Sequence, residues 1–341
     1  MRVNVSDLQS ALRIVRPVLE KRATLPVLKN ILLQDNSIIG TDLETWVIAK
    51  IPNVTFSPRT CVDGAVFQKK IDTLIGEVEY IRQPSTLVIK GENSTFRFPL
   101  ADPEDFPEIP DKSNLFEMSP LVGYVHYMLD VMTAAGKDTT ESLRGVYLKV
   151  SEYSLDIVAT DAHRLHLVRV ENRGLTPVAK TEYIIPPKAV KILSLAALYP
   201  YKFELYTRLI EGHYPKYQDV IPTEEEIEGF FITHTKLLKE AVDMVYFEAP
   251  LVFEVTNGSL KLSCHDPDEG ESEYVMTVEE SKGSTKLAVN ARYLIDAIKF
   301  MGTGFVKVSW INEDRPIRID LMPSEVDTGA KKLALIMPMR I

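Results

Sequence analysis

The chain has 341 residues, of which 45% are hydrophobic and 26% are charged, and its formal net charge is −9. This length predicts two or three domains, and the acidic balance argues against a protein that wraps nucleic acid tightly, although it is compatible with a local basic surface. No apolar run approaches the ~20 residues of a membrane helix, no signal peptide is expected, and two distant cysteines, Cys61 and Cys264, predict a cytoplasmic protein without disulfides.

Three pairs of helices are predicted along the chain. The first helix of each pair begins near Ser6, Ser119 and Thr233, where apolar residues recur at spacings of three and four, and Ser6 and Asp7 can cap the earliest one. The second helices are predicted at residues 68–75, 187–193 and 290–298. Strand-like runs follow each helix, so every third of the chain mixes helices with strands.

The closing segments and the turns recur with a similar spacing. Pro107 and Pro215 lie 108 residues apart in similar contexts, and the turn at residues 40–44 is echoed at 159–161 and more faintly at 263–266. A period near 110 residues is the size of a domain, so we predict an α+β protein of three similar domains, at residues 1–113, 114–228 and 229–341. Chance recurrence of common patterns is the alternative. The acidic run at 224–228 is predicted to be a solvated linker.

The middle turn joins two alternating segments and therefore predicts a hairpin. It brings together Asp161, His163 and Arg164, which leaves open a hydrolase that uses Asp161, His163 and an unidentified serine. The chain has no GxSxG motif and no GxxxxGK[ST] phosphate loop. His163 and His166 would point to opposite faces of a strand, so no metal site is predicted.

Four segments resemble one known family. Residues 159–165 (ATDAHRL) resemble the ATDGHRL signature of the bacterial β sliding clamps, the processivity factors of the replicative DNA polymerase. Residues 23–33 (ATLPVLKNILL), 40–44 (GTDLE) and 337–341 (MPMRI) are similar to further motifs of that family, in the same order. The resemblance implies a head-to-tail homodimeric ring with helices inside and sheets outside, which encircles double-stranded DNA and has no cofactor and no catalysis. A relative with a non-replicative role is the alternative, which genomic neighbours would distinguish.

The resemblance also implies a DNA-binding surface. By similarity to family positions, Arg22, Lys69, Lys137 and Lys188 would contact DNA. Contacts to phosphate carry no sequence information, so a ring held by them could slide. For any single residue of this set, the alternative is an ordinary solvated cation.

A second implied site is an apolar pocket between the second and third domains. It would receive short linear peptides from the polymerase α subunit, the clamp loader δ subunit and repair polymerases. The residues of this pocket and its rim are Leu143, Thr160, His163, Arg164, Leu165, Pro215, Val220, Pro316, Met337, Pro338, Met339 and Arg340. Methionines suit a site with several partners, although the two terminal methionines could equally pack a core.

The resemblance further implies a dimer interface and contains two departures. At the interface, Lys70, Phe96 and Phe98 of one copy would face Tyr246 and Phe247 of the other. Ala162 stands where the family usually has glycine, so the turn is expected to have a different shape or to be strained by about 1 kcal/mol. Asp219 stands at a position that is basic in some members, which would alter the preference for peptides.

Overall fold

The computed structural model describes residues 1–20, 25–109, 111, 115–137, 139–171, 181–247, 249–323 and 329–340. The chain divides into two compact units. The first unit comprises Met1–His126 and Pro186–Leu209, and the second comprises Tyr127–Ile185 and Ile210–Ile341. None of the helices in the described ranges is long and apolar enough to cross a membrane. Both cysteines are buried, and both are free thiols.

The predicted pairs of helices are present in the described part of the chain. They are α1 (Val5–Val15), α2 (Gly64–Ile71), α3 (Val125–Met132), α4 (Pro187–Ala196), α5 (Thr235–Val245) and α6 (Ala291–Met301). The prediction was wrong about three starts. The first helix of the second pair was predicted to begin near Ser119, but Ser119–Tyr124 is a 3-10 helix and α3 begins at Val125. Asn4, not Ser6 or Asp7, caps α1, and α2 begins four residues earlier than predicted because the Asp63 carboxylate accepts the N–H groups of Ala65 and Val66.

Helix α1 illustrates why these segments are helical. Its apolar residues Val5, Leu8, Leu12 and Val15 fall on one side and are buried, whereas Arg13 is exposed. The buried side packs on the sheet strands of the first unit, and α1 also contacts α2 and α4. The first unit therefore presents the outer sides of three neighbouring helices to solvent.

The strands also follow the three thirds of the chain. In the first third they are β1 (Arg2–Asn4), β2 (Asn30–Asp35), β3 (Ser37–Thr41), β4 (Thr45–Lys50), β5 (Phe56–Asp63), β6 (Glu77–Arg82), β7 (Thr86–Lys90) and β8 (Thr95–Pro99). In the second they are β9 (Phe116–Glu117), β10 (Val146–Val150), β11 (Ser154–Thr160), β12 (Arg164–Glu171), β13 (Glu182–Ile185) and β14 (Phe203–Thr207). In the last they are β15 (Gly229–His234), β16 (Pro250–Thr256), β17 (Ser259–Asp266), β18 (Gly270–Thr277), β19 (Glu280–Lys282), β20 (Thr285–Asn290), β21 (Phe305–Trp310), β22 (Ile317–Leu321), β23 (Ala330–Ile336) and β24 (Pro338–Met339).

Strand pairing repeats from third to third. The strand before the first helix pairs antiparallel with the first strand after the second helix, as in β1 with β6, β9 with β14, and β15 with β21. Between the two helices, the strands form the orders β5-β2-β3-β4, β13-β10-β11-β12 and β20-β16-β17-β18. The same topology therefore recurs in each third of the chain.

The sheets continue from one third of the sequence to the next. In the first unit, β4 pairs with β14 and completes a six-stranded sheet, and β1-β6-β7-β8 forms a second sheet. In the second unit, β12 pairs with β23 inside a nine-stranded sheet, and β18-β17-β16-β20-β24 forms another. The two compact units therefore do not coincide with the three predicted domains. The boundaries of these domains stay a prediction. At the first predicted boundary, residues 112–114 lie outside the described residues.

The acidic run at 224–228 is not a free linker. The Glu224 carboxylate lies 3.0 Å from Lys307 Nζ and 3.1 Å from the Arg318 guanidinium, and Glu226 accepts the Thr223 N–H at 2.8 Å. The hydrogen bond from Lys307, together with the charge of Arg318, lowers the pKa of Glu224. The run is exposed, as predicted, but the Glu224 carboxylate joins it to β21 and β22 of the nine-stranded sheet.

Candidate functional site

The turn between β11 and β12 is built by two side chains. Asp161 Oδ1 accepts the N–H groups of His163 and Arg164, each at 3.0 Å. Thr160 Oγ1 accepts the Ala162 N–H at 3.1 Å and donates to the Arg164 carbonyl at 2.5 Å. These bonds satisfy the polar backbone of the turn and fix its shape. The predicted hairpin is confirmed.

The other two thirds use the same device. Asp42 Oδ1 accepts the N–H groups of Glu44 and Thr45, and Asp266 Oδ1 accepts the two corresponding N–H groups of its own turn. Leu43 has φ +74° and Ala162 has φ +75°. Ala162 therefore adopts the left-handed conformation and is strained by about 1 kcal/mol, which is the second of the two expected outcomes.

The hydrolase alternative finds no support at this turn. Asp161 Oδ1 holds the backbone, and Asp161 Oδ2 accepts the Arg164 Nε–H at 3.0 Å, so both carboxylate oxygens are engaged in shaping the turn. His163 is exposed. Within the described residues, its backbone N–H contacts the Asp161 carboxylate, but its imidazole ring does not. The three residues therefore make a structural turn.

His166 lies in a different environment from His163, as the strand alternation predicts. It is fully buried, its ring stacks on Phe300 at 4.3 Å, and its Nδ1 lies 3.1 Å from Thr133 Oγ1. Burial, with a smaller effect of the Arg164 charge, lowers the pKa of His166 to about 3. His166 is thus a neutral core histidine. Among the described residues, no group of His, Cys, Asp and Glu side chains is arranged to hold a metal ion.

The apolar side of the turn belongs to a buried cluster. Leu165 and Leu167 point into it together with Tyr147, Tyr217 and Leu335. The Met337 N–H donates to the His163 carbonyl at 2.8 Å, immediately after β23, which pairs with β12. The structure therefore brings the turn, the apolar cluster and the terminal segment together, as the predicted pocket requires.

The other predicted pocket residues lie in the same compact unit with different exposures. Leu143, Thr160 and Pro316 are buried. The exposed ones are His163, Pro215, Val220, Met337, Met339 and Arg340. Val220 is 48% exposed, Met337 38% and Met339 40%, so three apolar side chains of this set contact solvent. Pro338 and Met339 form β24, which pairs with β20. Peptide binding by this set stays a prediction.

Sequence reasoning missed the contacts of Arg164. Its Nη1 donates to Asp296 Oδ2 of α6 at 2.5 Å, and its guanidinium lies 4.4 Å from the centre of the Tyr293 ring. Only 12% of the Arg164 side chain is exposed. No local signal could have found a partner 132 residues away.

The predicted DNA-binding residues occupy different settings. Lys69 of α2 and Lys137 after α3 are exposed. Lys188 of α4 is exposed as well, but its Nζ contacts the Asp42 carboxylate and lies 3.4 Å from the Val18 carbonyl. Arg22 lies outside the described residues. Exposed cations on the three neighbouring helices of the first unit are Arg13, Lys69, Lys70, Lys188 and Lys191.

Cations on α5 are balanced by acids on the same helix. Lys236 lies 3.9 Å from Glu240, and Lys239 lies 2.5 Å from Asp243, both at a spacing of four residues. Such exposed pairs add little to stability, but they reduce the positive field of the helix. The helices of the first unit are the more basic set.

The predicted interface residues also differ from one another. Phe98 is buried against Phe67, with ring centres 5.1 Å apart, whereas Lys70 Nζ lies 5.3 Å from the centre of the half-buried Phe96 ring. Tyr246 and Phe247 are half-buried and directly follow α5, whose last carbonyl accepts a hydrogen bond from Ser272 of β18 at 2.7 Å. Their role in a dimer stays a prediction.

Comparison with known proteins identifies the relatives of this chain. Residues 218–340 match the family profile of the DNA polymerase III beta subunit, C-terminal domain. The beta sliding clamp of Pseudomonas aeruginosa is 24% identical over 368 residues, covering 97% of this chain and 96% of that protein. The chain is thus similar to bacterial β sliding clamps along nearly its whole length. The beta sliding clamp of Escherichia coli is 23% identical, with 94% of each chain covered.

Solved structures of sliding clamps share the fold along the whole chain. The clamp of Pseudomonas aeruginosa bound to griselimycin superposes with a TM-score of 0.88 at 21% identity, covering 100% of this chain and 99% of that one. The clamp of Bacillus subtilis gives 0.86 at 19% identity, with 100% and 98% covered. The sequence-based resemblance to the sliding clamps is thus confirmed.

Proposed function

We propose that this protein is a DNA sliding clamp, a non-catalytic ring that encircles double-stranded DNA and tethers the replicative polymerase. The similarity of the chain to the β sliding clamps supports this function. The two strand edges described below support the formation of a ring. The three predicted domains, at 1–113, 114–228 and 229–341, are proposed to be its building blocks. The ring would act in the cytoplasm, where bacterial DNA lies.

The pattern of strand pairing supports a ring of two copies. In the first two thirds, the strand after the turn pairs with a strand of the following third, β4 with β14 and β12 with β23. In the last third the corresponding strand is β18, which is an edge strand of its sheet. The last strand of the first third, β8, is an edge strand of another sheet. Pairing of β18 with β8 of a second copy would continue the pattern, and two such contacts would close a head-to-tail ring.

The charges on these two edges complement one another. Arg97 of β8 is exposed, and so are Glu271 and Glu273 of β18. An antiparallel junction would bring the arginine near the two carboxylates, which favours pairing between different edges over pairing of β18 with itself. The predicted contacts of Lys70, Phe96 and Phe98 with Tyr246 and Phe247 would flank this junction.

The helices provide the surface for DNA. We propose that Lys69, Lys137, Lys188 and Arg22 contact phosphates, and that the basic helices of the first unit contribute most of the attraction. Contacts to phosphate alone hold the duplex without reading its sequence, so the ring can move along it. Lys188 would have to share its charge between phosphate and the Asp42 carboxylate.

A second proposed site binds short linear peptides of the polymerase α subunit, the clamp loader δ subunit and repair polymerases. Its floor would be the cluster around Leu165 and Tyr217, and its exposed apolar rim would include Val220, Met337 and Met339. Apolar side chains that already contact solvent can bury an apolar ligand without unfolding. We propose that griselimycin binds at the same place.

Retention on DNA tests the ring directly. The protein is loaded with a clamp loader and ATP onto a nicked circular plasmid, free protein is removed by gel filtration in moderate salt, and the plasmid is then cut once. We expect the protein to stay with the circle and to leave the linear form, because a closed ring is held by topology and slides off an end.

Two matched variants locate the junction. Arg97→Glu on β8 places a third carboxylate opposite Glu271 and Glu273, so retention should fall at least tenfold and sedimentation should show monomers. Arg2→Glu lies on β1, at the opposite edge of the same sheet, and should leave both properties unchanged. Wild-type protein that leaves circular and linear plasmids alike, or equal behaviour of the two variants, would contradict the proposed ring.

A further inference from the structure

Strand β12 lies between two different surfaces of the second unit. Its alternate residues Leu165 and Leu167 point into the apolar cluster that forms the floor of the proposed peptide site. Arg164 and His166 point the other way, where Arg164 contacts Asp296 and His166 stacks on Phe300, both residues of α6. Because successive side chains of a strand point to opposite faces of the sheet, a movement of the β12 backbone displaces side chains on both surfaces.

The Arg164 guanidinium contacts two carboxylates and one aromatic ring of this unit of the chain. Its Nε–H donates to Asp161 at 3.0 Å, its Nη1 donates to Asp296 at 2.5 Å, and its flat face lies on Tyr293. A partly buried arginine between two carboxylates and a ring gains more from these contacts than from an exposed acidic group on a ligand. Arg164 is therefore poorly suited to read the charge of a peptide.

The same contacts fix the backbone next to Arg164. Asp161 receives the Arg164 side chain through Oδ2 and holds the backbone N–H groups of His163 and Arg164 through Oδ1. The neighbouring His163 carbonyl accepts the Met337 N–H at 2.8 Å, so it sets the start of the terminal segment. The contacts form one continuous path from α6 through Arg164 and the turn to Met337.

We propose that Arg164 is a positioning residue of the peptide site: it holds the turn and the terminal segment in place from α6, and it does not contact the peptide itself. This inference rests on the proposed peptide site. It makes Asp296, on a helix outside the predicted pocket, as important for ligand binding as Arg164.

The first measurement needs no ligand. Hydrogen exchange of the Met337 amide is compared in the wild-type protein, in Arg164→Lys and in Asp296→Asn. An ammonium is a point donor that cannot reach both carboxylates in the fixed geometry of a guanidinium, and asparagine removes the charge without changing the shape. We expect exchange at Met337 to be at least tenfold faster in both variants.

Lys332→Met is the matched control. Lys332 is as buried as Arg164 and also joins elements of this unit, through Asp130 and the Phe300 carbonyl, but it does not contact the turn. It should lower stability while leaving exchange at Met337 unchanged. Unchanged exchange in Arg164→Lys and Asp296→Asn, or an equal increase in Lys332→Met, would overturn the proposal.

Binding of griselimycin provides the second measurement, by isothermal titration. Affinity should fall about tenfold in both Arg164→Lys and Asp296→Asn, with the same salt dependence as in the wild-type protein, because no charge on the ligand is involved. A loss in Arg164→Lys alone would mean direct contact and would overturn the proposal. If the wild-type protein binds no griselimycin, the proposed binding of this ligand fails, and the exchange data still decide the role of Arg164.

Discussion

Replacing Ala162 by glycine should stabilise the protein. Ala162 is exposed and has φ +75°, a conformation that costs an L-residue about 1–2 kcal/mol and glycine almost nothing. Glycine adds entropy to the unfolded chain, which costs about 0.4–1 kcal/mol. The net gain in the free energy of unfolding should therefore be about 0.5–1 kcal/mol for Ala162→Gly.

Urea denaturation followed by tryptophan fluorescence can measure this gain in the correct unit. The chain has two tryptophans, Trp46 in the first unit and Trp310 in the second, and both are buried. A Trp46→Phe background leaves Trp310 to report on the second unit, which contains Ala162.

The control is Ala330→Gly. Ala330 begins β23 in extended conformation, so glycine should cost about 0.5–1 kcal/mol there. If Ala162→Gly lowers the free energy of unfolding as Ala330→Gly does, the turn carries no strain and the reasoning from φ is refuted.

Two further predictions concern pH and the apolar rim. The pKa of buried His166 is about 3, whereas that of an unfolded histidine is about 6.5. Between these two pH values the unfolded state binds a proton that the folded state does not bind. The stability present above pH 6.5 is therefore lost as the pH falls. Between pH 7.5 and 5.5 the wild-type protein should lose about 1.4 kcal/mol more unfolding free energy than His166→Leu, and equal losses in urea titrations would contradict this. Val220→Arg should weaken griselimycin binding at least tenfold in calorimetry, since it places a charge on the proposed rim. Leu237→Arg, at a similarly exposed residue of α5, should have no effect; unchanged affinity in Val220→Arg would remove Val220 from the site.

The sequence predicted those features that depend on neighbouring residues. The pairs of helices and the hairpin before Leu165 follow from apolar periodicity, and the fold agrees with the sliding clamps that the motifs resemble. The start of α2 was predicted incorrectly although Asp63, its capping residue, was visible in the sequence.

Contacts between distant residues could not be predicted in this way. Glu224 of the acidic run is held by Lys307 and Arg318, which follow Glu224 by more than 80 residues, and Arg164 contacts Asp296 across 132 residues. Such pairings depend on the order of strands in the sheets, which periodicity does not contain. The roles of the proposed DNA, peptide and interface residues stay predictions for the same reason.

The position of β23 has a consequence for biosynthesis. This strand, at Ala330–Ile336, lies inside the nine-stranded sheet, between β12 and β22, although it is translated long after β12. Translation from β12 to β23 takes on the order of ten seconds, during which the edge of β12 has no partner. A nascent chain must therefore keep that edge from pairing with other chains until β23 emerges from the ribosome, and termination of translation before β23 would leave the sheet in two halves.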